Sequence, residues 1–170
     1  MLKQNGYKFD VAYTSVLTRA IQTFNYTAEE LDCLYIPLVK SWRLNERHYG
    51  ALQGLNKSET TAKHGEEKVK IWRRSFDIPP PPLETSDSRH PINDERYKNI
   101  DPALLPATEV LFTFTKSLKE TIERVLPLWN GEISDIIRSG KNLLIVAHGN
   151  SIRSIVKYLD NVSEKGIGCN

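Results

Sequence analysis

The run Leu143-Leu144-Ile145-Val146-Ala147-His148-Gly149-Asn150-Ser151 constrains the fold more than any other part of the chain. An almost uninterrupted apolar stretch over residues 142–147 predicts a strand buried on both faces, as found in parallel sheets covered by helices. It stops at His148-Gly149 and leads into a helical spacing over 151–159 that carries Ile152, Ile155, Val156 and Leu159. The same order recurs near the start: a β-prone run over 9–13, a turn at Thr14-Ser15, and a helix over 18–31. Residues 35–39 offer a short strand, and Pro37, which has no N–H for a ladder, assigns it to an edge or a strand end. Leu118, Ile122, Val125, Trp129, Ile133 and Ile136 mark one face of a long helix with a kink at Pro127. Strands alternating with helices predict an α/β fold with a mainly parallel sheet.

The remaining chain reads as connections. Residues 57–64 and 66–76 form two short helices parted by Gly65, and the proline run 79–82 stops the second. Residues 79–106, rich in Pro, Ser and Asp without sustained periodicity, read as a long surface excursion. At 170 residues the chain fits one domain, and 39% hydrophobic with 26% charged residues is the composition of an ordinary soluble protein. A net charge of +2 gives no basis for polynucleotide binding. The cations Arg43, Arg47, Lys57, Arg73 and Arg74 are nevertheless clumped, which fits either local anion binding or a solvated basic face. Cys33 and Cys169 lack partners at metal-ligand spacing, so neither a zinc site nor a disulfide scaffold is expected. No apolar leader and no span of roughly 18 apolar residues is present, so a cytoplasmic location is expected and no membrane partner is.

Four places can carry chemistry. His148 follows a strand and precedes a helix, where free N–H groups and the positive dipole end favour an anion; Gly149 permits close backbone approach, Asn150 can donate, and Ser151 is expected as the helix N-cap. The other reading is a capping turn with an incidental histidine. In Ser41-Trp42-Arg43-Leu44-Asn45-Glu46-Arg47-His48-Tyr49-Gly50 a single carboxylate sits among cations, fitting either a general acid–base or a surface salt-bridge cluster. Arg73-Arg74 beside Trp72 suits bidentate recognition of phosphate or carboxylate if a helix end brings both to one ligand. Arg19 lies in the first turn of its helix, a poor place for a cation, which predicts an anion nearby.

These segments, Tyr13-Thr14-Ser15-Val16-Leu17-Thr18-Arg19-Ala20, the stretch from Leu44 through Glu46, Arg47, His48, Tyr49 and Gly50 to Lys57, and Ala147-His148-Gly149-Asn150-Ser151, resemble the cofactor-dependent phosphoglycerate mutases of the histidine phosphatase superfamily. Trp72-Arg73-Arg74 and the proline run resemble the animal-type members. The resemblance implies a three-layer α/β/α fold and interconversion of 3- and 2-phosphoglycerate in glycolysis through a phosphohistidine, primed by 2,3-bisphosphoglycerate, without a metal. It implies that Arg19 binds phosphate, His148 stabilises the phosphoryl group and Glu46 moves the proton of the substrate hydroxyl. It also implies that Arg47, His48, Tyr49, Lys57, Arg73, Arg74, Gly149 and Asn150 line the substrate site, and that the intact parent is a homodimer. Bisphosphoglycerate mutase or phosphatase activity is the near alternative, and a non-catalytic fragment that binds a phospho-ligand or pairs with a subunit is the distant one.

The chain departs from that pattern at three points. No Arg-His-Gly triplet occurs, and none of His48, His64, His90 and His148 is expected to replace the nucleophile. Residues 1–9 match the end of the family's first helix, so the expected unit is a partial domain over 1–164, incomplete at both ends and inactive alone. Residues 110–116 read as an insertion, and 165–170 as a tail foreign to the family.

Overall fold

The computed structural model describes residues 1–69, 81–109 and 117–160, and the chain divides into two compact units. The first comprises Met1–Glu46 and Ile122–Ile155, and the second comprises Arg47–Thr121 and Val156–Asn170.

The first unit is built on a three-stranded, all-parallel sheet of β1 (Val11–Thr14), β2 (Leu38–Lys40) and β3 (Leu143–Val146) in the order β2-β1-β3. β1 pairs on both edges, Ala12 opposite Leu38 and Leu144, and Tyr13 opposite Val39 and Ile145. Side chains alternate across a strand, so VAYT divides between two cores. Val11 and Tyr13 pack with Leu44, Val125, Leu128, Ile133 and Ile155 on one face, while Ala12 packs with Phe24, Ala28, Cys33 and Ile36 on the other. Helices on both faces make the expected three-layer α/β/α arrangement. The expected double-sided burial belongs to β1, whose four residues are all buried. β3 is half-buried at every position, because no described strand pairs with its outer edge.

Helix α1 (Thr18–Glu30) buries Ala20, Phe24 and Ala28, spaced four apart along one stripe. It closes with Asp32 in the left-handed region at φ 55°, where Cys33 N–H reaches Ala28 O at 2.8 Å and Asp32 N–H reaches Glu29 O at 3.1 Å. That paired bonding is the Schellman closure, with aspartate in the place glycine usually takes. β2 starts directly after Pro37, as a residue without an N–H dictates. Helix α2 (Lys57–His64), in the second unit, opens with a capping box between Asn56 and Glu59 and ends at Gly65.

The long helix expected over 118–136 is broken in three. Helix α3 (Ser117–Leu128) contains Pro127, a π-helical turn (Trp129–Ile133) follows, and α4 (Ser134–Arg138) resumes the α spacing. Proline removes one intrahelical donor, and the wider turn absorbs the mismatch while keeping Val125, Leu128 and Ile133 on the core side. The same turn presents Glu132 to Tyr13, whose hydroxyl donates to Oε2 at 3.2 Å.

Helix α5 (Gly149–Asp160) corrects two expectations. Its buried edge is Ser151, Ser154 and Ile155, whereas Ile152, Val156 and Leu159 are exposed. Ser151 lies inside the first turn instead of capping it, and its hydroxyl donates to Asn45 O at 2.6 Å. Small side chains allow that edge to approach the 42–45 loop, which rotates the larger apolar residues outward.

In the second unit the excursion rich in Pro, Ser and Asp becomes a series of capped 3-10 turns. Pro91–Asn93, Glu95–Tyr97 and Pro102–Leu104 are each opened by a side chain, His90, Asp94 or Asp101, that accepts the N–H two residues on. The expected insertion 110–116, tail 165–170 and far end of the 66–76 helix lie outside the described residues. No helix among the described residues is long and apolar enough to cross a membrane.

Candidate active site

β1 and β3 end side by side, and their last residues are tied where Thr14 Oγ1 donates to Val146 O at 2.7 Å. One residue beyond β1 stands Ser15, and two beyond β3 stands His148, both buried. Parallel pairing therefore fixes two chain reversals at one sheet end, the place where α/β folds bind ligands. Ser15 Oγ lies 2.8 Å from His148 Nε2, and Arg19 Nε donates to His148 Nδ1 at 3.3 Å. α1 begins there without a side-chain cap and without an acidic residue in its first turn, and α5 begins one residue after His148. Two helix N-termini, a guanidinium and an imidazole therefore crowd one spot. Among the described residues, the group that Arg19 is seen to meet is the His148 imidazole.

Glu46 reaches this place from a clamped loop. Arg124, on α3, donates to Trp42 O at 3.1 Å, Arg43 O at 2.8 Å and Asn45 O at 3.1 Å. Arg43 answers by donating to Arg124 O at 2.9 Å while its guanidinium stacks on the Trp42 ring. Asn45 Oδ1 also accepts Val16 N–H at 3.2 Å. So pinned, the loop delivers Glu46 to α5, where Asn150 Nδ2 donates to Glu46 Oε1 at 2.8 Å. Arg19, Glu46, His148, Gly149 and Asn150 are thus assembled within the first unit.

The other expected residues belong to the second unit or lie outside the described residues. Within the second unit the Arg47 guanidinium stacks 4.3 Å above the Tyr49 ring and is buried. The backbone of His48 exchanges two hydrogen bonds with Glu109, N–H to Oε2 at 2.6 Å and O from Glu109 N–H at 2.8 Å. His48 Nδ1 accepts Gly50 N–H at 3.2 Å, a bond that shapes the turn. Lys57 opens α2. Arg73 and Arg74 lie outside the described residues.

The histidine phosphatase superfamily (branch 1) model matches residues 2–91, a little over half of the chain. The chain belongs to the histidine phosphatase superfamily. Solved structures sharing the fold include YhfR of Bacillus stearothermophilus, at 17% identity and a TM-score of 0.57, covering 99% of this chain and 66% of that one. A mycobacterial glucosyl-3-phosphoglycerate phosphatase matches at 17% identity and a TM-score of 0.55, covering 97% of this chain and 63% of that one. Against these structures the chain spans just under two thirds of their length.

For a histidine phosphatase superfamily member, the electrostatics of this cluster are informative. Burial pushes the His148 imidazolium below its usual 6.5, Arg19 and Arg124 act in the same direction, and Glu46 opposes them. The resting imidazole is neutral beside a cation, an environment that gains from an arriving anion. Among the described residues no group of three or more His, Cys, Asp or Glu side chains converges as a metal would need. Sequence reasoning did not single out Asn45 or Arg124, and it gave Ser15 no role of its own. Arg124 carried a signal, being a cation beside Val125 on the apolar side of a helix; a buried serine or asparagine carries none.

Proposed function

We propose that this chain holds the phosphate-binding and proton-transfer part of a phosphoglycerate mutase site, acting on 3- and 2-phosphoglycerate. The observation that carries the reading is the convergence of Arg19 and His148, 3.3 Å apart at the ends of adjacent parallel strands, with Glu46 held by Asn150 at 2.8 Å. Arg19, the free N–H groups of α1 and α5 and the Asn150 amide receive a phosphate, and Glu46 exchanges a proton with the neighbouring substrate hydroxyl. A phosphate of 2,3-bisphosphoglycerate fits the same cation and helix ends; when bound, that molecule supplies the phosphoryl group that primes the enzyme. Because the 170 residues contain no Arg-His-Gly, the chain alone binds phosphoglycerates without turning them over.

A phosphatase acting on a related ester is the second reading, favoured by the fold shared with the mycobacterial glucosyl-3-phosphoglycerate phosphatase. Calorimetry separates the two. For the mutase reading, 3-phosphoglycerate and 2,3-bisphosphoglycerate bind, Arg19→Ala weakens both by at least about tenfold, the loss of one charge-assisted contact worth about 1.4 kcal/mol or more, and a mutase assay on the chain shows no turnover. Affinity unchanged in Arg19→Ala removes the site, and binding of glucosyl-3-phosphoglycerate in preference to both ligands favours the phosphatase.

A further inference from the structure

His148 is engaged at both ring nitrogens. Arg19 Nε stands at Nδ1, 3.3 Å away, and Ser15 Oγ stands at Nε2, 2.8 Å away. A guanidinium nitrogen can only donate, so Nδ1 is the bare, accepting nitrogen. The one proton of the neutral ring then lies on Nε2 and is donated to Ser15 Oγ. That hydroxyl is fully buried and also accepts Leu17 N–H at 3.2 Å.

A phosphate oxygen reaching Nδ1 reverses the demand there, since it accepts and Arg19 donates. The ring can respond by taking a second proton and becoming a cation, or by carrying its single proton on the other nitrogen. The second response requires a partner at Nε2 that can donate to the newly bare nitrogen. A carbonyl or carboxylate cannot do this, and a hydroxyl can.

We propose that Ser15 is a positioning residue that lets His148 exchange tautomers while staying neutral: Nε2–H on Ser15 while Arg19 occupies Nδ1, and Nδ1–H on a phosphate oxygen, with Ser15 donating to Nε2, once an anion draws Arg19 to itself. The inference rests on the phosphate site described above. Its proton balance is zero, because Nε2 releases one proton to water, Nδ1 takes one up, and the hydroxyl keeps its own and rotates. In the exchanged state Ser15 retains the bond from Leu17 and its own proton gains an acceptor. The groups facing the ring are Arg19 from α1, Arg124 from α3, Glu46 from the clamped loop and Ser15 itself; burial and both arginines oppose a cation, and Glu46 alone favours one.

Nitrogen-15 NMR of the histidine-labelled full chain tests this directly, because the two neutral tautomers and the cation give distinct ring shifts. The His148 signals are assigned by their loss in His148→Asn, and inorganic phosphate is the probe. The expected result is the Nε2–H tautomer without phosphate and the neutral Nδ1–H tautomer with it. In Ser15→Ala the phosphate-bound ring becomes a cation. The ratio of the variant's phosphate Kd to that of the unaltered chain then rises by up to about tenfold per pH unit above the ring's pKa, while phosphate's own ionisation cancels in the ratio. Ser15→Thr, which keeps the hydroxyl, restores a flat ratio. A cation in the phosphate-bound unaltered chain overturns the proposal alone and leaves the phosphate site standing. Phosphate that perturbs neither Arg19 nor His148 overturns the site and the proposal together. If Ser15→Ala fails to fold, the two spectra of the unaltered chain still decide.

Discussion

His148 shows how one side chain's surroundings reach the stability of the chain. Its folded-state pKa lies below the unfolded 6.5, so below that pH the unfolded chain binds this proton more readily than the native one. The contribution is complete above 6.5 and is lost as pH falls from 6.5 toward the lower folded-state value. Urea midpoints compared at about pH 7.5 and about pH 5.5 should therefore drop more for the unaltered chain than for His148→Asn, and equal drops would refute this assignment of the pH dependence. Arg19 and His148 were legible from sequence because a strand, a turn and a helix place such residues at a sheet end. Ser15 and Asn45 were not, since their roles depend on which hydroxyl or carbonyl stands opposite after folding. Serine and asparagine are equally at home in any solvated turn.

The elements show where local rules hold and where tertiary packing overrides them. Asp32 tolerates φ 55° without glycine's freedom, so Asp32→Gly should raise stability by about 0.5–1 kcal/mol in chemical denaturation. Gly50 is the opposite case. It sits at φ +54°, and a Cβ there would stand 2.4 Å from Pro81 O, so Gly50→Ala should cost about 2 kcal/mol or more, read from the same measurement. Arg124→Met keeps an unbranched apolar stem but withdraws the donors from three loop carbonyls. It should cost about 2–4 kcal/mol and weaken the hold on Glu46, visible as a lost Asn150 side-chain amide shift. The 3-10 turns of the second unit were invisible to periodicity because each is too short to repeat. Their signals were single Asp or His residues two positions before a satisfied N–H, which a search for helical or strand spacing passes over. α5 misled for another reason: its apolar spacing was real, but packing selected the serine edge.

At the scale of the whole chain, the sheet order sets a hierarchy of protection. β1 is bonded on both edges and buried throughout, whereas β2 has three residues, none of them buried, and one neighbour among the described strands. Native-state hydrogen exchange should find the slowest amides in β1 and markedly faster ones in β2, and a reversed order would contradict the central placement of β1. The alternation of strands and helices made this architecture readable from sequence, while the pairing order was not, because nothing in an isolated strand states its neighbours. That order also carries a temporal consequence. Val11 and Leu143 are register partners, so most of the chain must be synthesised before the middle strand can complete its sheet. At about 5–20 residues per second, a ribosome leaves that strand half-satisfied for roughly ten seconds. Helix α1 and β2 emerge within that interval and cover one face and one edge of the nascent strand, which leaves the other edge open to any passing β-segment until β3 arrives.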